Sequence, residues 1–127
     1  MGVAAARPNT MVQTMDELLR VSVWALGSCV ILALLGEWVE GAAARVREVL
    51  ALLIESGVRR VAVDLSGLWS ADSQLLDAVR EAADKLAKQG GSLVLAAPQR
   101  SVALILDLSG ISRCIPVYPS VAEAAAR

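Results

Sequence analysis

The segment over residues 58–65, centred on the apolar run Val61-Ala62-Val63, places the strongest limit on how this chain folds. Side chains alternate between the two faces of a strand, so Val61, Val63 and Leu65 share one face and Ala62 lies on the other. Both faces of the segment are therefore apolar, which is typical of a strand in a sheet covered on both sides. The segment predicts a central strand in a layered domain that combines a sheet with helices.

Residues 21–36 form a second apolar segment, which carries no charged side chain. A helix that spans a membrane needs about 20 apolar residues, and this segment is shorter. Its middle contains the turn-like pair Gly27 and Ser28, and its valines favour strands. We therefore predict a buried β-hairpin, with strands near 18–24 and 29–35 joined at this pair.

Helical and strand patterns alternate after the hairpin. The predicted elements are, in order, a helix over 42–56, the strand over 58–65, a helix over 73–88, a strand over 92–96, a helix over 99–108, a strand over 114–117 and a helix from Ser120. This alternation implies right-handed crossovers between parallel strands. The predicted fold class is α/β, with the N-terminal β-hairpin leading into a mixed, mostly parallel five-stranded sheet with about four helices. Residues 1–16 are predicted to be a flexible leader, and residues 17–127 a single domain.

The composition narrows the possible functions. The 127 residues carry 12 basic and 13 acidic side chains, a net charge of −1, so no basic surface points to nucleic acid. Histidine, the commonest general base, is absent, and so is phenylalanine. Cys29 and Cys114 lie in apolar runs without metal-binding spacing, so we expect two reduced core thiols in a cytoplasmic protein. We expect no metal, no cofactor and no enzymatic activity.

The residues between the central strand and the next helix form the first candidate site. Asp72 and Ser73 are both strong N-cap types, and a phosphate at this helix start would meet the positive end of the helix dipole. Capping alone explains the same residues equally well. Ser66, Ser70 and Ser73 do not indicate a catalytic loop, because no histidine or lysine adjoins them to activate a hydroxyl.

Two tryptophans and one helix form the second candidate site. Trp38 and Trp69 each follow a strand, where they serve either as local hydrophobic cover or as anchors for a protein partner. The helix over 99–108 has apolar residues in nearly every direction, including Ala103 and Leu104 on its outer side. We therefore expect an additional contact on this helix, either self-association into a homodimer or a partner.

Several short segments together resemble the STAS domain, the family of bacterial anti-sigma-factor antagonists that also occurs at the tails of sulfate transporters. These segments follow the family's order and spacing over roughly residues 18 to 125. They are Gly36-Glu37, Asp64-Leu65-Ser66-Gly67, Asp72-Ser73, Gly90-Gly91-Ser92-Leu93-Val94-Leu95, Leu106-Asp107-Leu108-Ser109-Gly110-Ile111 and Pro116-Val117-Tyr118-Pro119-Ser120. The resemblance implies a STAS fold and a regulatory protein-binding role.

This chain departs from the family at the switch loop. The family usually has Asp-Ser-Ser-Gly-Leu or a threonine variant there, so Gln74 replaces the usual phospho-acceptor and Leu75 replaces the glycine. The family's Gly-Glu-Leu-Asp after the second hairpin strand is Gly-Glu-Trp-Val here, which lacks the final acidic residue. Ser73 is the remaining candidate phosphorylation site, but it lies one residue early and about 100° away on the helix. We predict a locked, unphosphorylated switch.

The resemblance implies that the chain binds an anti-sigma factor or serine kinase and so influences sigma-factor-dependent transcription. The predicted partner surface comprises Trp38, Ser66, Trp69, Asp72, Ser73, Gln74 and Leu104. An alternative is an accessory subunit of a membrane transport complex for lipids or anions, which would bring the chain to the membrane only through a transporter. A third is a structural subunit of a larger signalling assembly.

Overall fold

The computed structural model describes residues 12–15 and 18–126, which form one sheet with helices on both faces. The strands are β1 (Val12–Met15), β2 (Leu19–Leu26), β3 (Cys29–Gly36), β4 (Arg60–Leu68), β5 (Ser92–Ala96) and β6 (Val117–Tyr118). The helices are α1 (Ala42–Glu55), α2 (Ser73–Lys88), α3 (Arg100–Ser109) and α4 (Val121–Ala126), with a 3-10 turn over Ile111–Arg113.

The spatial order of the strands is the same as their order along the chain. β1, β2 and β3 pair antiparallel, and β3 to β6 pair parallel. The β2–β3 hairpin turns at Gly27 and Ser28, as predicted. Gly27 has a φ of +63°, a conformation that glycine adopts without steric cost. The α/β fold class with a mixed, mostly parallel sheet is confirmed.

The core is divided by the sheet into two unequal layers. The larger layer packs α1, α2 and α3 against one face, because right-handed crossovers between strands that advance in one direction across the sheet place their helices on the same side. The smaller layer lies on the other face, where Ala62 and Val94 pack near Ala124 of α4. The two apolar faces of β4 therefore contact different layers, as its sequence predicted.

Among the described residues, the sheet contains the five predicted strands and one additional short strand. The additional strand, β1, lies inside the range that the sequence assigned to a flexible leader. Its four residues pair with Arg20–Val23 of β2. The rest of the predicted leader, residues 1–11 and 16, lies outside the described residues.

Two further predictions near the C-terminus need correction. The last strand was predicted over 114–117, but Cys114 and Ile115 both donate backbone hydrogen bonds to the Ile111 carbonyl, so the strand starts only at Val117. This turn leaves the Cys114 side chain exposed, whereas the sequence predicted a core thiol. Cys29 is buried as expected, and both cysteines are free thiols.

Candidate functional site

The candidate site lies at the ends of β3 and β4, where the loop after β4 leads into α2. Asp72 has an extended backbone and stands immediately before the helix. Its Oδ1 accepts hydrogen bonds from the backbone N–H groups of Gln74 and Leu75, at 3.0 and 3.1 Å. These are amides that have no partner within the helix, so Asp72 is the N-cap of α2. Ser73 is the first residue of the helix.

A tryptophan from the neighbouring loop binds the same carboxylate oxygen. The indole Nε1 of Trp38 donates to Asp72 Oδ1 at 2.8 Å. Trp38 is half-buried and packs against the larger core layer. It therefore provides the hydrophobic cover that the sequence suggested and also ties the loop after β3 to the start of α2.

The beginning of α3 holds the other side of the loop. The side-chain amide of Gln99 donates to the Ser66 carbonyl at 2.8 Å, and the Ser101 hydroxyl donates to the Trp69 carbonyl at 3.0 Å. The Ser66 N–H in turn donates to Asp64 Oδ1 at 3.0 Å. Polar contacts thus connect residues 66–72 to the start of α2 on one side and to the start of α3 on the other. These contacts favour a single conformation of residues 66–72.

A bulge in β4 sets the direction of this loop. Ala33 pairs with Asp64 but Leu35 pairs with Gly67, so β4 contains one residue more than β3 in this interval. A Cβ added to Gly67 would lie 2.4 Å from Leu35 Cδ1, so the Leu35 side chain occupies the space beside the glycine. Bulges are frequent next to functional sites because they redirect the chain.

The predicted partner residues differ in their exposure. Ser66 is exposed near the end of β4, and Asp72, Ser73 and Gln74 are exposed at the start of α2. Trp69 is 60% exposed, so most of its side chain does not cover the core. These residues and Trp38 gather at one end of the sheet.

Leu104 lies on α3, three residues beyond Ser101. It is 57% exposed, and Leu108 of the same helix is 78% exposed, whereas Val102 and Leu106 are buried. The helix therefore exposes two leucines on its outer face that the rest of the described chain does not cover.

The sequence reasoning did not find Gln99, Ser101 or Gly67. Gln99 and Ser101 contact residues 33 and 32 positions earlier. No local sequence pattern predicts contacts between residues so far apart along the chain. The only available signal was that Gln99 follows Pro98 directly before a helix, where a polar side chain is common.

The family profile of the STAS domain matches residues 20–124, which is most of the chain. The chain belongs to the STAS domain family. No curated protein sequence matches it. No helix among the described residues of this STAS protein is long and apolar enough to cross a membrane.

Solved structures of low sequence identity share the STAS fold. An anti-sigma factor antagonist from Mycobacterium paratuberculosis is 17% identical, with a TM-score of 0.79 over 89% of this chain and 96% of that chain. The Bacillus cell fate determinant SpoIIAA in its phosphorylated form is 19% identical, with a TM-score of 0.67 over 84% and 97%. A sulfate transporter family protein from Wolinella succinogenes is 20% identical, with a TM-score of 0.67 over 78% and 83%.

Proposed function

We propose that this STAS protein is a non-enzymatic binding module of the anti-sigma-factor antagonist type. Its partner is an anti-sigma factor or serine kinase of the same regulatory system in the cytoplasm. Supporting this, the start of α2 presents Ser73 and Gln74 to solvent beside the exposed Trp69. The surface combines an aromatic anchor with polar groups, as in the centre and rim of protein interfaces.

We further propose that the module binds its partner without phosphorylation control. Glutamine has no hydroxyl, and as a neutral residue it does not imitate a phosphate, which carries about −1.5 to −2 charges. The geometry of the cap supports the same proposal. The N–H groups of Gln74 and Leu75 are already bonded to Asp72, so a phosphate at this helix start would have to compete with the chain's own carboxylate.

The experiment is a pull-down from the native cells with the wild type as bait, followed by phosphorylation of the bait with ATP and the recovered kinase. We expect an anti-sigma factor or kinase to bind, and no phosphate on residues 66–76. Gln74→Ser should become phosphorylated at residue 74 and then bind more weakly, because the added charge alters the contact surface. Stoichiometric phosphate on wild-type Ser73 that abolishes binding would contradict the locked switch.

The second candidate function is an accessory subunit of a membrane transport complex. The fold similarity to a sulfate transporter family protein favours it. Recovery of a transporter ATPase from detergent-solubilised membranes, with no anti-sigma factor in the soluble fraction, would support this function over the first. Ser73→Ala serves as the matched control in both fractions, since binding without phosphorylation predicts that it leaves the recovered partner unchanged.

A further inference from the structure

The outer face of α3 has a self-complementary arrangement of apolar and charged side chains. At 100° per residue, Arg100, Leu104, Asp107 and Leu108 fall within about 100° of one another, opposite the buried Val102. All four are exposed. This face therefore carries two leucines. Along one side of them lie a cation near the N-terminal end of the helix and an anion near its C-terminal end.

Neither charge has a charged partner among the described residues. Within the described part of the chain, Asp107 Oδ1 accepts the Ser112 hydroxyl, at 3.0 Å, and the Arg100 side chain makes no hydrogen bond or ion pair. The two exposed leucines therefore lie beside two charges of opposite sign that the described chain does not neutralise. Complementary charges of this kind set the orientation of a docking helix more than its affinity.

A second copy of the same helix fits this face in one orientation. A two-fold axis perpendicular to two antiparallel α3 helices, passing near Leu104, puts Arg100 of each copy opposite Asp107 of the other. The Leu104 side chains then meet at the axis. A parallel arrangement would instead place like charges together, so the charge pattern selects the antiparallel one.

The neighbouring tryptophan strengthens the same arrangement. The Ser101 hydroxyl bonds to the Trp69 carbonyl, so Trp69 lies at the N-terminal end of the α3 face. The antiparallel pairing brings Leu108 of the second copy to that end. Trp69 and Leu108, the two most exposed large apolar residues among the described ones, would then be neighbours in the assembly.

We propose that the outer face of α3 is a homodimer interface, in which a second copy of this chain packs its α3 antiparallel about Leu104 with reciprocal Arg100–Asp107 ion pairs. A ten-residue helix is about 15 Å long, so the interface is smaller than the standard size of about 800 Å² per partner. The dimer is therefore expected to be weak. The inference does not depend on which partner the α2 surface binds.

Charge reversal tests the proposal with the purified full chain. Sedimentation equilibrium is expected to show a monomer–dimer equilibrium for the wild type. Arg100→Asp and Asp107→Arg should each weaken dimerisation by about tenfold or more, because each creates two like-charged contacts per dimer. The double variant Arg100→Asp/Asp107→Arg should restore the wild-type affinity to within about threefold, because it recreates both pairs with exchanged signs.

Two further variants separate the interface from general effects of charge and stability. Leu104→Glu should abolish the dimer while circular dichroism shows an unchanged fold. Arg80→Asp reverses an equally exposed arginine on α2 and should leave dimerisation unchanged. A wild type that stays monomeric up to about 1 mM would overturn the proposal. So would a double variant that dimerises no better than the single ones.

Discussion

Replacing Gly36 with alanine is expected to lower the free energy of unfolding by about 4 kcal/mol or more, which places it among the most damaging single substitutions. The added Cβ would lie 2.0 Å from the Leu18 carbonyl oxygen. That oxygen accepts the Glu37 N–H at 2.8 Å, so moving it away would disturb a hydrogen bond at the open end of the hairpin. Gly36 also has a φ of +116°, where any residue with a Cβ is strained. Denaturant unfolding followed by circular dichroism measures the loss.

Gly41→Ala is the matched control for this prediction. Gly41 has a φ of +87°, but a Cβ there would meet nothing within 4 Å. Alanine at this position should therefore cost only the backbone strain of a left-handed residue, about 1 kcal/mol. Equal losses for the two variants would mean that the contact with Leu18 contributes nothing and that strain alone sets the effect.

Asp72→Ala is expected to lower the free energy of unfolding by about 2 kcal/mol. The substitution removes the one oxygen that accepts from the Gln74 and Leu75 amides and from the Trp38 indole. Loss of an N-cap alone accounts for about 1 kcal/mol, and the indole contact supplies the remainder. Chemical denaturation gives the free energy, and exposure of Trp38 should shift its fluorescence emission.

Three variants distinguish the contributions to the Asp72 effect. Asp77→Ala removes an exposed carboxylate from the same helix, away from the cap, and should change stability by no more than about 0.5 kcal/mol. Asp72→Asn keeps an acceptor oxygen and should recover most of the loss. Trp38→Phe removes the indole donor together with part of the ring's packing surface, and should cost about 1 kcal/mol. If Asp72→Ala is no worse than Asp77→Ala, the cap is not a stabilising element of the site.

The elements that the sequence predicted well are those determined by local patterns. The bounds of α2 were predicted correctly because Asp72 is a strong cap and Gly90 with Gly91 ends the periodic segment. The hairpin was predicted because its turn residues interrupt an apolar segment. Strand β1 was missed because Val12–Met15 has four residues, and neither its length nor its pattern distinguishes it from a loop.

The site was only partly predictable for a different reason. Asp72 and Trp38 were both predicted as site residues, but the hydrogen bond between them was not. It joins residues 34 positions apart, and only the strand order brings their loops together. The exposure of Leu104 was ambiguous for a similar reason. On a helix that is apolar all round, the neighbouring layers of the fold decide whether a given apolar residue is buried or exposed. The spacing of apolar residues along the sequence does not show where those layers lie.

The strand order also has a consequence for how the domain assembles during synthesis. Each strand pairs only with strands that adjoin it along the chain, so every new strand can add to an edge that already exists. Contacts that are near in sequence form quickly, and domains begin to fold from the N-terminus as the chain emerges. Residues 66–72, at the end of β4 and in the loop after it, are however held by Gln99 and Ser101, which are synthesised about thirty residues later. The β2–β4 part of the sheet can therefore form before the proposed partner surface takes its final shape, which delays recognition until the domain is nearly complete.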